Sequence, residues 1–447
     1  MLYLLAWGIP IFIFAFTVRI AYYNSMKEIP IFPDTYEYID AAGTIGRLKI
    51  HVSRVPVYPA FIKIAHKLMP WLQAEEAAVA LQIFLSSLAL VLLFFICKEV
   101  FSSSIKALIV VIFCNISISL INWDTYVLTE SISKIIIICM LGCAIAYFGK
   151  KQIRYIFILF ILCLLLIYTK PFYLFFPAVL SVLLFAFNFI CNREKRAFLA
   201  VLCSLAFIYV SVFGYCLINK SQNGYFGISN VSVINRLGKV FQYDMYNLSS
   251  NEKIKGYIEQ EYEELGGEDP IPVVFIFKYD LYKNNYKEIN DFVDEIIKGH
   301  PFIFAYKTWK FVSEELYSEP FMADYNLSWD NYKNTWPKDW FFTFNDIENI
   351  NTFALVFIII AVETAIIIAK ICRRRKFDWV WIFCILTIIY QLGMSILGSH
   401  GEYARLMVPV YILIFIVFFK LVFNFIQLVY EAGKGISLYI SKKRESI

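Results

Sequence analysis

Ten apolar stretches separated by polar connections run along the chain, at residues 2–21, 77–97, 105–121, 131–149, 155–169, 172–190, 197–218, 352–371, 379–397 and 405–425. A helix needs about 20 predominantly apolar residues to cross the hydrocarbon core of a bilayer, and each stretch comes near that length. The pattern predicts an all-α polytopic membrane protein, a bundle of about ten transmembrane helices. Only Lys170 and Pro171 separate the fifth stretch, itself short, from the sixth, so a single long helical hairpin is an alternative there. The first stretch ends Thr17-Val18-Arg19-Ile20-Ala21-Tyr22-Tyr23, without the small residues of a cleavage site, and is expected to be retained.

Two connections are long, 22–76 and 219–351. The first contains Pro33-Asp34-Thr35-Tyr36-Glu37, which fits a capping box with Asp34 at the N-cap and Glu37 three residues on, opening a helix to about Leu48. Past Arg54-Val55-Pro56-Val57-Tyr58-Pro59, the spacing of Phe61, Ile64, Ala65 and Leu68 against Lys63, His66 and Lys67 predicts an amphipathic helix at the headgroup level. In the second, 251–265 and 280–298 read as helices stopped by glycines. Residues 301–316 read as an amphipathic helix with Phe302, Ala305, Trp309 and Val312 on one face, and Trp336, Trp340, Phe341 and Phe342 as an interfacial aromatic belt. The division expected is a membrane core over 1–218 that includes the first-loop catalytic region 22–76, an extracytoplasmic helical cap over 219–351, and C-terminal transmembrane helices with a cytoplasmic tail over 352–447.

Charge sets the orientation. Lys98 and Lys106, Lys150 to Arg154, Arg193 to Arg196, Arg373 to Lys376, and Lys442 to Arg444 all fall on one side when ten spans alternate, which makes that side cytoplasmic with both termini inside. Residues 219–351 carry 21 Asp and Glu against 13 Lys and Arg, so this segment is acidic within a chain of net charge +5. The basic residues lie in short loops and not on one soluble face, which argues against a nucleic-acid partner.

Composition agrees: 60% of residues are hydrophobic, 17% charged, and the mean hydropathy is +0.62, outside the range of soluble domains. The ten cysteines lie within or at the ends of apolar stretches, so no disulfide framework is expected in the long polar segment. The histidines, His51, His66, His300 and His400, are scattered, and no Cys/His spacing suggests zinc. No cofactor is required by the pattern, and a divalent metal is left open.

Several ionisable residues share the non-cytoplasmic side. Asp34 is the candidate catalytic base, since a helix N-terminus stabilises an ionised carboxylate. Glu37 lies beside it, and Arg54 precedes the next helix, free to turn toward Asp34 or an anion. Asp124 and Glu130 flank the entrance of the fourth span, where Glu130 also reads as a partner for the helix dipole. Lys170 and Arg405 are cations on the side where basic residues are otherwise few, and Arg405 stands at a helix start that disfavours it. A compensating anion is expected there, Glu402 or a ligand phosphate. Tyr58, His400 and Glu402 complete the supporting set.

The order of these motifs carries a resemblance. Asp34 after the first span, Arg-x-Pro-x-Tyr-Pro from Arg54 to Pro59, Leu-Thr-Glu from Leu128 to Glu130, Thr-Lys-Pro from Thr169 to Pro171 and Glu-x-x-Arg-x-x-x-Pro from Glu402 to Pro409 together resemble the GT-C glycosyltransferase superfamily. That superfamily includes protein O-mannosyltransferases, aminoarabinose transferases and mycobacterial arabinosyltransferases. The likeness covers the membrane core and not 219–351. It implies a GT-C-like bundle that transfers a hexosyl or pentosyl unit from a polyprenyl-phosphate-linked sugar donor to a glycan, lipid or protein acceptor, on the extracytoplasmic face of what is expected to be a bacterial plasma membrane. It also implies that Asp34 takes the place of the superfamily's first-loop catalytic aspartate. Asp34 is followed by Thr35, unlike the paired acids of the O-mannosyltransferase branch.

Chemistry supports these roles. A sugar bonded through C1 to a lipid phosphate already has a leaving group, so what remains is to activate the acceptor hydroxyl, the task of Asp34, and to stabilise charge on the departing phosphate, the task of Lys170, Arg405 and Arg54. Direct displacement inverts the anomeric centre. Two rivals are a transporter or flippase of lipid-linked glycans, which predicts ionisable residues within the spans, and a scaffold whose acidic segment binds a partner. Apart from Lys134 and Glu363, the apolar stretches contain almost no such residues.

Overall fold

The structure, a computed structural model, describes residues 2–45, 47, 49–264, 282–318, 333, 340, 352–372, 378–399 and 403–445. Among them the chain is helical with short connections. In order, α1 is Leu2–Ser25, α2 Pro33–Ile45, α3 Val57–Leu68, α4 Ala74–Phe101, α5 Ser104–Ile116, α6 Ile118–Ile121, α7 Glu130–Lys150, α8 Arg154–Thr169, α9 Phe176–Phe187 and α10 Lys195–Asn223. There follow α11 Val231–Gln242, α12 Glu252–Glu264, α13 Tyr282–Gly299, α14 Pro301–Ser318, α15 Thr352–Cys372, α16 Trp379–Gly398 and α17 Tyr403–Glu445.

Among the described residues seven helices are long and apolar enough to cross a membrane, with an eighth if the bent pair α5 and α6 counts as one span. The other two of the ten apolar stretches fall on shorter apolar helices, Arg154–Thr169 and Ile358–Ala369. The bend is a correction to the span drawn through 105–121: the chain turns by 70° between α5 and α6, at Ser117, whose backbone is extended. The shortness of α8 has a local cause. Pro171 lacks an amide donor and drives its predecessor out of the helical region, and Lys170 is extended at φ −149°, ψ 110°.

Helix ends follow local chemistry. Gln73 and Glu76 form a reciprocal capping box at the start of α4, and the Ser103 side chain accepts the Lys106 amide at the start of α5. Gly224, at φ 72°, closes α10 in the left-handed conformation that glycine adopts without penalty.

Helix α4 is central, packing against α1, α3, α5 and α7, and α7 in turn lies against α8, α16 and α17. One apolar core runs through these helices, with Leu93, Phe94, Val110, Leu141, Tyr147 and Leu413 buried in it. Faces turned outward, such as Leu199, Phe207, Val210 and Phe213 of α10, are also apolar and exposed, as lipid contact requires.

The amphipathic reading of α3 changes. Tyr58, Ile62 and Ala65 are buried, packed toward α4, while Ile64, Leu68 and the following Trp71 are 54%, 61% and 76% exposed. The helix therefore has two apolar faces, one facing the protein and one outward. Helix α2 also differs from its capping-box reading. It starts at Pro33, which puts Asp34 at the second helical position and not at the cap.

The segment after α10 has its own small core. Val233, Leu237, Val240 and Phe241 of α11 meet Ile254 and Ile258 of α12 and Phe292, Val293 and Ile296 of α13. The helices expected from 251, 280 and 301 are α12, α13 and α14, and α11 is additional. On α14, Phe304 and Phe311 pack on this core, so the face drawn through Phe302 and Trp309 is the exposed one, at 88% and 73%. Trp340 is 59% exposed, and Trp336, Phe341 and Phe342 lie outside the described residues. Among the described contacts, the segment and the end of α10 before it are tied to the end of α16 and to the loop before Arg54. Asn235 donates to the Gly398 carbonyl at 2.8 Å, and Lys239 donates to the Ile396 carbonyl, both at the C-terminal end of α16. Ser229 donates to the Ser53 carbonyl at 2.6 Å and Asn223 to the Ile50 carbonyl at 2.9 Å, in the loop just before Arg54.

Candidate functional site

Five separate parts of the chain bring six charged side chains into one alternating series. Arg54 Nε donates to Glu37 Oε2 at 2.7 Å and its Nη2 to Asp34 Oδ1 at 2.5 Å. The other Asp34 oxygen accepts from Arg405 Nη2 at 3.0 Å. Arg405 Nε reaches Glu130 Oε1 at 3.1 Å, and Lys170 Nζ meets the same oxygen at 2.9 Å. The series Glu37, Arg54, Asp34, Arg405, Glu130, Lys170 holds three carboxylates and three cations, so its formal charge balances.

Each member stands where its own element places it. Asp34 and Glu37 are one turn apart on α2 and therefore point the same way. Glu130 opens α7, a favourable place for an anion. Lys170 is held in the extended residue before Pro171, and Arg405 lies in the first turn of α17. The anions that compensate Arg405 are Asp34 and Glu130; Glu402, expected in that role, lies outside the described residues with His400.

Aromatic rings back the cations. The Arg54 guanidinium lies 4.5 Å from the Tyr38 ring centre, and the Arg405 guanidinium 5.0 Å from that of Phe32. Tyr38 meets Tyr58 edge to face at 5.0 Å, and the Tyr58 hydroxyl donates to Gln82 at 2.6 Å, so Tyr58 braces the Arg54 side of the cluster against α4. Burial works against the Arg54 charge, but Asp34, Tyr38 and Glu37 outweigh it and hold the guanidinium above its ordinary pKa. Burial pushes the Tyr58 phenol well above its ordinary value.

Accessibility is graded along the series. The Glu130 side chain is 0% exposed, Arg54 7%, Arg405 10%, Lys170 11% and Asp34 25%. Asp34 is therefore the most accessible of these side chains, and the three cations are more buried than it.

Asp124, expected in the same supporting set, belongs to a second network. Its Oδ1 accepts from Lys134 at 2.7 Å and Ser131 at 2.5 Å, and its Oδ2 from Arg19 at 2.9 Å and Ser86 at 2.7 Å. Arg19 also donates to Asn115 at 2.6 Å. Asp124 and its two cationic partners are almost wholly buried. Gln82, which accepts the Tyr58 hydroxyl, donates to the Asp124 and Tyr126 carbonyls at 3.1 and 2.8 Å, so this network holds the turn before α7 and is linked to the first through Gln82 and Tyr58.

Sequence reasoning passed over Arg19, which looked like the end of a span, and over Tyr38 and Phe32. The signal for the two rings was their position, one turn from Asp34 and three residues before Thr35 on the same short segment. Among the described residues no group of three or more His, Cys, Asp or Glu is placed to hold a metal ion.

No protein-family model matches the chain, and no curated protein matches it in sequence. Among solved structures, the fold is similar to the archaeal oligosaccharyltransferase AglB from Archaeoglobus fulgidus, described in complex with an inhibitory peptide and a dolichol-phosphate. The identity is 13% and the TM-score 0.50, over 96% of this chain and 52% of that one. It is also similar to the Archaeoglobus fulgidus oligosaccharyltransferase tethered with an acceptor peptide containing the NVT sequon, with 12% identity and a TM-score of 0.50 over 95% of this chain and 50% of that one. The chain thus spans about half the length of the solved chains it matches. At such identity the likeness is one of fold alone: among the described residues the chain is all-helical, with a fold similar to that of these oligosaccharyltransferases.

Proposed function

We propose that the chain is a glycosyltransferase that moves a sugar from a polyprenyl-phosphate donor to an acceptor hydroxyl on the extracytoplasmic face, with Asp34 as general base. Support comes first from one observation: the most accessible carboxylate of the cluster lies between two guanidiniums brought from residues 54 and 405. The fold adds to it, since a similar solved structure is described with a dolichol-phosphate.

The balanced charge shapes the mechanism. A carboxylate held by two guanidiniums is a weak base, because both stabilise its ionised form. An incoming lipid phosphate competes for the same donors, and Arg54 and Arg405 exchange Asp34 for phosphate oxygens, with Lys170 next in the series. Asp34 is then left with fewer donors, and accepts the proton of the acceptor hydroxyl as its oxygen attacks C1. The C1–O bond to phosphate breaks, and the negative charge that develops there meets the cations in a site shielded from water, where fixed charges act most strongly. Displacement from the opposite face inverts the anomeric centre. Donor binding therefore precedes productive acceptor binding.

The flippase reading gains one observation. Besides the Arg19, Asp124 and Lys134 network, Lys420 donates to Glu363 at 2.7 Å between α17 and α15. The first set is almost wholly buried, whereas Glu363 and Lys420 line a small pocket with Asp378 and Trp381.

The test uses the full chain in proteoliposomes with a panel of polyprenyl-phosphate sugars, following lipid phosphate release and sugar transfer by mass spectrometry. Asp34→Asn is expected to bind donor and lower transfer by roughly 10² to 10⁴, the usual range of general-base help. Arg405→Gln is expected to weaken donor binding. Transfer by Asp34→Asn at the wild-type rate overturns the base assignment, and donor translocated across the bilayer without cleavage favours the flippase.

A further inference from the structure

The imidazole of His51 is placed to set the aim of Arg54. Its Nδ1 accepts the backbone amide of Ser53 at 3.2 Å and that of Arg54 at 3.1 Å. An acceptor that takes the amides two and three residues ahead builds the tight turn that Asn and Asp make with their side-chain oxygens. A nitrogen that accepts two N–H groups carries no proton, so in the neutral ring the proton is on Nε2. That nitrogen faces Asp40 Oδ2 on α2 at 3.5 Å.

The turn matters because of what leaves it. Arg54 is its last residue, and the guanidinium spans Glu37 and Asp34 with bonds of 2.7 and 2.5 Å. Other contacts hold the loop from outside: Ile50 donates to Gln222 at 2.7 Å, and Ser229 bonds to the Ser53 carbonyl. Among the described contacts, those to Ser53 and Arg54 amides come from His51. Asp40 Oδ2 lies across from Nε2, and Gln222 and Asn223, which approach from α10 and bond to the Ile50 backbone, are uncharged.

We propose that His51 is a positioning residue for donor binding: its unprotonated Nδ1 fixes the turn that directs the Arg54 guanidinium into the Asp34 cluster and so toward the lipid phosphate. This rests on the reading of the cluster as the donor-phosphate site. Protonation turns Nδ1 from acceptor to donor, so the two amide bonds are lost. Acid therefore loosens Arg54 without removing a charge from the cluster.

The test is donor-site affinity against pH for the full chain in lipid nanodiscs. The probe is the methyl ester of a polyprenyl phosphate, a phosphodiester whose single charge is constant from pH 5 to 8. Wild-type affinity is expected to fall about tenfold from pH 8 to pH 5, as the loss of two neutral hydrogen bonds allows. His51→Asn, whose amide oxygen supplies the same acceptor without titrating, should match the wild type at pH 8 and stay level to pH 5. His51→Ala should be weak throughout. A His51→Asn profile that falls like the wild type, or His51→Ala binding like the wild type at pH 8, overturns the proposal while leaving the site intact. Failure of the wild type to bind the probe at pH 8, or binding indifferent to Arg54→Gln, removes the donor site and the proposal with it.

Discussion

Asp34 and Asp124 are both carboxylates held by two cations, and what separates them is access. Asp124 is 0% exposed with each oxygen accepting two donors, whereas Asp34 keeps 25% exposure. Removing one partner from a buried ion pair leaves uncompensated charge and costs about 3–5 kcal/mol. Asp124→Asn should therefore lower the thermal unfolding temperature in detergent markedly, with Arg19 and Lys134 left unpaired, while Asp34→Asn loses transfer with a much smaller change in stability. Equal unfolding temperatures for Asp124→Asn and the wild type would show that the network carries no stability. Sequence reasoning separated these residues poorly, because both precede or open a helix on the same side of the membrane. Lys170 and Arg405 were singled out in the sequence because a cation opposing the side bias, and for Arg405 the helix dipole as well, needs an explanation. His51 was not, because bonds from a ring nitrogen to amides two and three residues ahead leave no periodicity to read.

Elements were legible wherever one solvent decided them. The long apolar helices follow from backbone hydrogen bonds that lipid cannot satisfy, and all ten apolar stretches fall on helices, even where a bend or a proline alters the span. Residues 231–242 were missed although Val233, Leu237, Val240 and Phe241 have helical spacing, because the run is short and carries no clear start signal. This helix has a specific task at the end of α16, where Asn235 and Lys239 bond to the carbonyls of Gly398 and Ile396, a few residues before Arg405. Lys239 is buried, with Phe304 at 5.8 Å, and burial lowers its pKa to about 8. A lysine whose folded pKa is depressed has its charge-burial cost in full below that value, and the cost disappears as pH rises toward the unfolded pKa of about 10.4. The docking of α11 should therefore tighten between about pH 8 and pH 10. Hydrogen exchange of the 231–242 amides, corrected for the intrinsic rate, should show rising protection in the wild type, and Lys239→Met should remove the rise. A rise that persists in the variant would assign it to another group.

At the scale of the whole molecule, the proposal depends on which side of the membrane the Asp34 cluster faces. In the orientation expected from the basic connections, residues 188–196 lie on the opposite side from that cluster. In that connection Cys191 is exposed, and its carbonyl accepts from Lys151 at 2.9 Å, which fixes the two basic loops beside each other. Cys203 is also exposed but lies within the apolar span of α10, where a charged reagent cannot follow. A membrane-impermeant maleimide applied to inside-out vesicles should therefore label the wild type at Cys191, with most of the signal lost in Cys191→Ser, and should leave Cys191 unlabelled in right-side-out vesicles. The reverse pattern would turn the protein over in the bilayer. Asp34, Arg54, Lys170 and Arg405 would then face the cytoplasm, where nucleotide sugars also circulate, and an extracytoplasmic lipid-linked donor would no longer account for a cluster of three cations gathered around an accessible carboxylate.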